Sequence, residues 1–114
     1  MLSIPDELEL LDFFETTPLE RTPEEGFYCY QVSDNKGITL VVSFSGIEGS
    51  FQIRLKNYEE EMVLFSQEGA KRLVLRNDAS GKYLYCEFEL GLVKTSAEVR
   101  VLPKISVKWN TLLN

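Results

Sequence analysis

From residue 26 onward, apolar and polar side chains alternate along most of the chain. Tyr28, Tyr30 and Val32 are separated by Cys29 and Gln31, and a period of two recurs in later segments. This alternation places successive side chains on opposite faces of a pleated strand. The pattern predicts about eight short strands, at residues 28–32, 40–44, 51–55, 62–65, 73–76, 83–90, 97–102 and 105–109.

Clusters of Gly, Asn, Asp and Ser separate these predicted strands, as tight turns require. Short turns between successive strands favour an antiparallel meander, whose apolar face must then be covered. We therefore predict a mainly β fold with a minor α component. The meander forms a curved sheet, a sandwich or a partly closed barrel, and one short helix packs at its side or end.

The first part of the chain has helical spacing instead. Ser3, followed by a proline and an aspartate, indicates a helix start, with the hydroxyl as the cap. Leu8, Leu11 and Phe14 then recur at intervals of three, and the other faces are acidic. The sequence predicts an amphipathic helix over residues 5–14 with this face buried.

Two prolines in the sequence TTPLERTPEE follow the predicted helix. Proline lacks an amide hydrogen and disfavours a helical residue before it, which predicts an extended connection up to residue 25. The 114 residues match the size of one domain. We expect a single domain over 1–114, in which an acidic helix and connection at 1–25 precede a β meander at 26–114.

Charge is distributed unevenly along the chain. Residues 1–25 contain eight acidic side chains and one arginine, a net charge of −7, whereas the remainder carries +1. Attraction to nucleic-acid phosphates needs clustered basic residues, and a chain with a pI of about 4.7 is repelled overall. A mixed basic and aromatic group around Arg76 and Tyr83 is the local exception, and we predict no nucleic-acid partner.

The sequence contains no histidine. Histidine is the commonest general base near neutral pH and the commonest ligand of zinc, so familiar triads and zinc sites are not supported. Glu87 and Glu89 alternate on one predicted strand and are the remaining acid and base pair. The opposite face of that strand is apolar, which favours a solvent-facing position for both carboxylates. We predict no catalytic residues, no metal and no cofactor.

Cys29 and Cys86 both lie in apolar, aromatic-rich segments. Two such cysteines are typical of buried free thiols, and a bridge between neighbouring strands is the alternative. The chain begins without a basic, then apolar, signal-like segment and has no apolar stretch of membrane-spanning length. These features predict a cytoplasmic protein with no membrane partner. Trp109 is expected to pack in the core.

The acidic N-terminal segment is the strongest candidate for a binding surface. A strongly negative segment on a nearly neutral body accelerates encounter with a basic protein surface. The predicted partner-binding residues are four acids of the helix and the acidic turn at 59–61. They are Asp6, Glu9, Asp12, Glu15, Glu59, Glu60 and Glu61. Nearby apolar residues, among them Leu10, Phe13, Leu19 and Phe27, are candidate anchors within that surface.

The Asp/Glu-rich start DELELLDFFE, the histidine-free meander and the closing strand PKISVKW together resemble the small acidic immunity proteins with which bacteria neutralise partner toxins. The resemblance implies a non-catalytic protein that occludes a basic surface of a toxin. It transfers no individual functional residue.

Two further functions remain open on the sequence alone. One is a small-ligand-binding β barrel that uses an interior lined by Tyr and Phe. The other is a structural or homo-oligomeric module that pairs exposed strand edges.

Overall fold

The computed structural model describes residues 1–113, and within them the fold is mainly β with one α-helix and nine strands. Helix α1 spans Glu7–Phe14. The strands are β1 Glu20–Thr22, β2 Phe27–Ser33, β3 Ile38–Ser45, β4 Ser50–Asn57, β5 Glu60–Gln67, β6 Ala70–Asp78, β7 Gly81–Leu90, β8 Val93–Arg100 and β9 Ser106–Leu113. A 3₁₀ helix, Pro23–Glu25, separates β1 from β2.

The strands form two antiparallel sheets, and within each sheet the strands follow one another in the order of the chain. The first sheet contains β1 to β5 and the second contains β6 to β9, and each strand pairs with its sequence neighbour. The predicted mainly β meander is therefore confirmed, as two sheets that do not close into a barrel. Every connection within a sheet is local, because alternating strands joined by short turns pair with their neighbours.

The change of sheet occurs at Gly69, between β5 and β6. Its φ of 81° lies in the left-handed region, and an added Cβ would come 2.6 Å from Cδ2 of Leu90. Only glycine fits this turn without displacing the β7 end.

The core lies between the inner faces of the two sheets. The rings of Phe51 in β4 and Phe88 in β7 meet across it at 5.8 Å. Trp109 stacks on Phe88 at 5.4 Å and is half-buried against the core, in line with its predicted packing role. Tyr30 and Phe44 fill the first sheet's side, so these aromatic side chains occupy the interior that a ligand-binding barrel would leave open.

Helix α1 covers one open side of the two sheets. The ring of Phe14 stacks on Tyr30 of β2 with centroids 4.2 Å apart, and Lys82 of β7 donates from Nζ to the Phe13 carbonyl oxygen at 3.3 Å. The helix thus bridges the first sheet to the second.

The predicted buried face of the helix is wrong for Leu8 and Leu11, although its third member, Phe14, is buried. Leu10, Phe13 and Phe14 are buried, whereas Leu8 is 77% exposed and Leu11 is 44% exposed. Two apolar stripes compete on this helix, and the one with two phenylalanines buries more apolar surface. The observed stripe has the same three-to-four spacing but is rotated around the axis.

The helix also begins later than predicted. Asp6 is the N-cap, and Ser3 instead joins the edge of the second sheet, where its amide donates to the Lys71 carbonyl oxygen at 3.1 Å and its carbonyl oxygen accepts from the Leu73 amide at 2.9 Å. The backbone of Ser3 is therefore engaged in sheet pairing, which leaves the cap to the next suitable residue.

Strand β1 and the start of β8 are among the strand segments that were not predicted. Strand β1 lies inside the connection expected to be merely extended, and it pairs with β2 in the register Arg21↔Tyr28. Residues 93–96 lie between two predicted strands but begin β8, where the hydroxyl of the buried Thr95 lies 3.2 Å from that of Thr111. Polar strands of this kind lack the apolar alternation on which the prediction depends.

Within the part of the chain that the structure describes, no helix is long and apolar enough to cross a membrane.

Candidate functional site

The four acidic residues predicted on the helix are all exposed, but two of them have a local structural role. The Glu9 amide donates to Oδ1 of Asp6 at 2.8 Å, and the Asp6 amide donates to Oε1 of Glu9 at 3.3 Å. This reciprocal pair is a capping box, which satisfies amides that the first helical turn leaves without intrahelical partners. Asp6 and Glu9 therefore fix where α1 starts in addition to contributing negative charge.

The other two predicted helix acids lie toward its C-terminal end. Glu15 ends the helix in a left-handed conformation, and its Oε2 lies 3.3 Å from Nζ of Lys82. Asp12 borders a shallow depression of about 220 Å³ together with Glu9, Arg76 and Lys82. On this side of α1, the basic side chains of the second sheet partly balance the helix acids.

The acidic turn at 59–61 belongs to the β4–β5 hairpin. Glu59 lies in the turn, Glu60 pairs in register with Asn57, and Oε1 of Glu61 lies 2.6 Å from Nε of Arg54. The Tyr58 amide donates to the Gly37 carbonyl oxygen, so this turn packs beside the β2–β3 turn. The structure thus places the triplet on a different element from the helix acids, with its contact to Arg54 inside its own hairpin.

Glu7 was not among the predicted site residues, yet it makes the main polar contact of the helix with the first sheet. Its Oε1 lies 2.6 Å from Nη2 of Arg21 and accepts a hydrogen bond of 2.8 Å from the Tyr28 hydroxyl. These hydrogen bonds, from Arg21 first and Tyr28 second, lower the pKa of Glu7. Burial, followed by the hydrogen bond to Glu7, raises the pKa of Tyr28 to about 12.

A groove of about 320 Å³ runs beside these contacts, between α1 and the first sheet. We call it the α1 groove. It is lined by Glu7, Leu8, Leu11, Thr17, Pro18, Arg21, Tyr28 and Tyr30. The two leucines that the sequence pattern assigned to the core therefore form an exposed apolar wall. The sequence signal for this exposed wall was that α1 has more apolar residues than one buried face needs.

The other apolar candidates near the acidic segment differ in exposure. Leu10 and Phe13 are buried in the core and are not available to a partner, Phe27 is half-buried, and Leu19 is 59% exposed. The exposed large apolar side chains of residues 1–25 are thus Met1, Leu8, Leu11 and Leu19.

Of the side chains considered for chemistry, Glu87 has a charged partner and Cys86 is buried. Glu87 lies 3.1 Å from Arg72, and Glu89 pairs in register with Lys94 on the neighbouring strand. Cys29 and Cys86 are both free, and burial raises the pKa of the Cys86 thiol to about 12, which keeps it protonated at neutral pH. Across residues 1–113, no three Cys, Asp or Glu side chains converge as ligands for a metal ion.

Comparison with known proteins gives one informative result. No family model and no curated protein matches this sequence. A solved structure, described as a contact-dependent growth inhibition toxin and immunity protein complex from Klebsiella pneumoniae 342, contains a chain similar to this one. The two chains superpose with a TM-score of 0.87 and 30% sequence identity, over 95% of each chain.

Proposed function

This chain belongs to the family of contact-dependent growth inhibition immunity proteins, and we propose that it neutralises a cognate toxin by binding the toxin and covering a basic surface on it. The similarity over 95% of both chains to a chain of a toxin and immunity protein complex is the main support for this proposal. The resemblance noted from the sequence agrees with that relationship.

The distribution of charge supports a basic partner surface. Eight of the 18 acidic residues lie in the first 25 positions, where the net charge is −7. Complementary charge steers the encounter of two proteins and selects against partners of the wrong sign. In this proposal Asp12 and Glu15 provide exposed charge on the helix, while Asp6 and Glu9 add charge and hold the helix start.

The acidic turn extends the proposed surface. Glu59, Glu60 and Glu61 lie on an exposed hairpin beside the β2–β3 turn. In an antiparallel meander this turn is at the same end of the first sheet as the C-terminal end of β2. The C-terminal end of α1 lies near the same place, because Phe14 and Glu15 border a depression together with Val32 and Ser33 of β2. A toxin surface that covers this end would approach both acidic elements.

Occlusion is the proposed mechanism, with no reaction catalysed. The sequence has no histidine, the Cys86 thiol is buried, and the Glu87 carboxylate is paired with Arg72. Covering a toxin surface requires none of these groups to react. The proposal includes a cytoplasmic location, where free thiols persist.

Neutralisation is tested with candidate toxins encoded near the gene for this chain. The purified toxin is titrated with this chain by calorimetry, and the toxin is also expressed in a host with and without this chain. We expect a one-to-one complex and restored growth. Failure of the wild-type chain both to bind the toxin and to restore growth would refute the proposed function.

The role of charge is tested with a double variant, Asp12→Asn with Glu15→Gln, which removes two negative charges from the helix. We expect slower association and a weaker dependence of the affinity on salt, because exposed interface charges act mainly on the encounter rate. Glu68→Gln with Glu89→Gln is the matched control, since it removes two exposed charges far along the sequence from α1. If both double variants lose the same amount of binding, net charge and not the helix surface is responsible.

A further inference from the structure

We propose, on the basis of the proposed function, that the α1 groove is the anchor pocket of the toxin interface and receives an apolar side chain that projects from the toxin's basic surface. The acidic residues would then guide the encounter, and the groove would hold the complex together. Charge and apolar contact are separate contributions here, and each can be measured.

The first support is the exposure of leucines that the fold does not need. Leu10, Phe13 and Phe14 already attach the helix to the core, each with 7% exposure or less. Leu8 at 77% exposure and Leu11 at 44% lie one helical turn apart on a side of the helix that the core does not cover. Isolated exposed leucines are common, but adjacent ones that line a concave surface are typical of binding sites.

The second support is that contacts within the chain fix the position of the groove walls. Tyr28 and Tyr30 are buried at 6% and 2% exposure, and Tyr30 is stacked flat on Phe14. The contacts of Glu7 with Arg21 at 2.6 Å and with the Tyr28 hydroxyl at 2.8 Å join α1 to β1 and β2. A preformed pocket loses little conformational freedom on binding, so more of the contact energy becomes affinity.

The third support is the size of the groove. Its volume of about 320 Å³ is at the lower end of the roughly 300–1,000 Å³ range of small-molecule pockets. One large apolar side chain with part of its neighbours would fill this space. A central apolar contact inside a polar rim is the arrangement found where a few residues dominate binding energy.

The charge of the surroundings selects the kind of surface that presents this side chain. Six of the eight residues that line the groove belong to residues 1–25, a segment with a net charge of −7. Arg21, the one basic residue of that segment, is paired with Glu7. A neutral or acidic partner surface would be disfavoured here, whereas a lysine- and arginine-rich surface would be attracted.

The test uses a double variant that combines Leu8→Ala and Leu11→Ala, and Leu92→Ala is its control. Leu92 is 76% exposed and lies in the β7–β8 hairpin, so it matches Leu8 in exposure but not in position. We expect the double variant to raise the toxin Kd by about tenfold or more, mainly through faster dissociation. Leu92→Ala is expected to leave the Kd unchanged, and circular dichroism should show both variants folded.

Leu8→Glu separates apolar anchoring from simple attraction between charges. This substitution keeps a good helix former and adds negative charge to the first turn, so the helix is retained. If charge alone held the complex, Leu8→Glu would bind the basic toxin as well as the wild type or more tightly. The anchor pocket predicts weaker binding with faster dissociation.

The results distinguish this inference from the function on which it rests. If the wild type binds the toxin and the leucine variants bind equally well, the anchor pocket is refuted and the neutralising function stands. If Leu8→Glu instead changes the sedimentation of this chain in the absence of toxin, the groove is occupied by a second copy, which also refutes the inference.

Discussion

The hydroxyl of Tyr28 in β2 donates a 2.8 Å hydrogen bond to Oε1 of Glu7 in α1. The same carboxylate oxygen lies 2.6 Å from Nη2 of Arg21 in β1. One acidic residue thus joins the helix to two strands of the first sheet and also lines the α1 groove. The contact gives Glu7 a positional role that its place in a run of acidic residues does not reveal.

The substitution Tyr28→Phe removes the hydroxyl that donates to Glu7 and keeps the aromatic ring. We expect the free energy of unfolding to fall by about 1 kcal/mol, as for the loss of one hydrogen bond. Urea denaturation at pH 7 measures the change. Tyr58→Phe is the control, because Tyr58 is 76% exposed and its hydroxyl should contribute little. Equal stability of Tyr28→Phe and the wild type would contradict the role of this bond.

The same pair predicts a dependence of stability on pH in the alkaline range. The pKa of Tyr28 is raised to about 12, first by burial and then by its hydrogen bond to Glu7. An unfolded tyrosine ionises near pH 10. The protonated phenol is therefore favoured by folding, and its contribution is fully present below pH 10 and is lost as the pH rises toward 12.

Denaturation of the wild type and Tyr28→Phe at several pH values between 8 and 12 measures this contribution by difference. We expect the stability advantage of the wild type to be constant up to about pH 10 and to shrink above it. An advantage that persists unchanged to pH 12 would show that the phenol ionises equally in the folded and unfolded chains.

The β architecture could be predicted from the sequence because burial of one face of a sheet requires apolar and polar residues to alternate along each strand. Phe51 and Ile53, for example, alternate with polar residues and are fully buried. The signal fails where pairing does not require an apolar face. Strand β1 has the sequence ERT and forms only because β2 offers it an edge.

The candidate site was less predictable, since its contacts join residues that are distant in the sequence. Glu7 and Arg21 are 14 positions apart, and Glu15 and Lys82 are 67 apart. The run of acids indicated a negative surface, but the partners of each carboxylate depend on how α1 lies on the sheets. The choice between the two leucine stripes of α1 likewise depends on what the sheets present to it.

Leu10 and Leu11 are adjacent in sequence and provide a direct test of the helix orientation. Leu10 is fully buried, whereas Leu11 is 44% exposed on the groove wall. We expect Leu10→Ala to lower the free energy of unfolding by about 2–5 kcal/mol, because it leaves a cavity. Leu11→Ala should lower it by less than about 1 kcal/mol. Thermal unfolding in the absence of toxin measures both losses. A larger loss for Leu11→Ala than for Leu10→Ala would contradict the observed orientation of the helix and would support the one that the sequence pattern favoured.

The capping box determines which acidic residues can be used to test the role of charge. Oδ1 of Asp6 accepts from the Glu9 amide at 2.8 Å, so Asp6→Ala removes the cap and should lower stability by about 1 kcal/mol. Asp6→Asn keeps an acceptor oxygen and should retain most of that stability while still removing a charge. Asp12→Ala is the control within the helix, where alanine is a favourable residue. Guanidinium denaturation of the three variants measures these differences. If Asp6→Ala is as stable as Asp12→Ala, the cap is not needed for the helix, and Asp6 becomes as suitable as Asp12 for measuring the effect of charge on toxin binding.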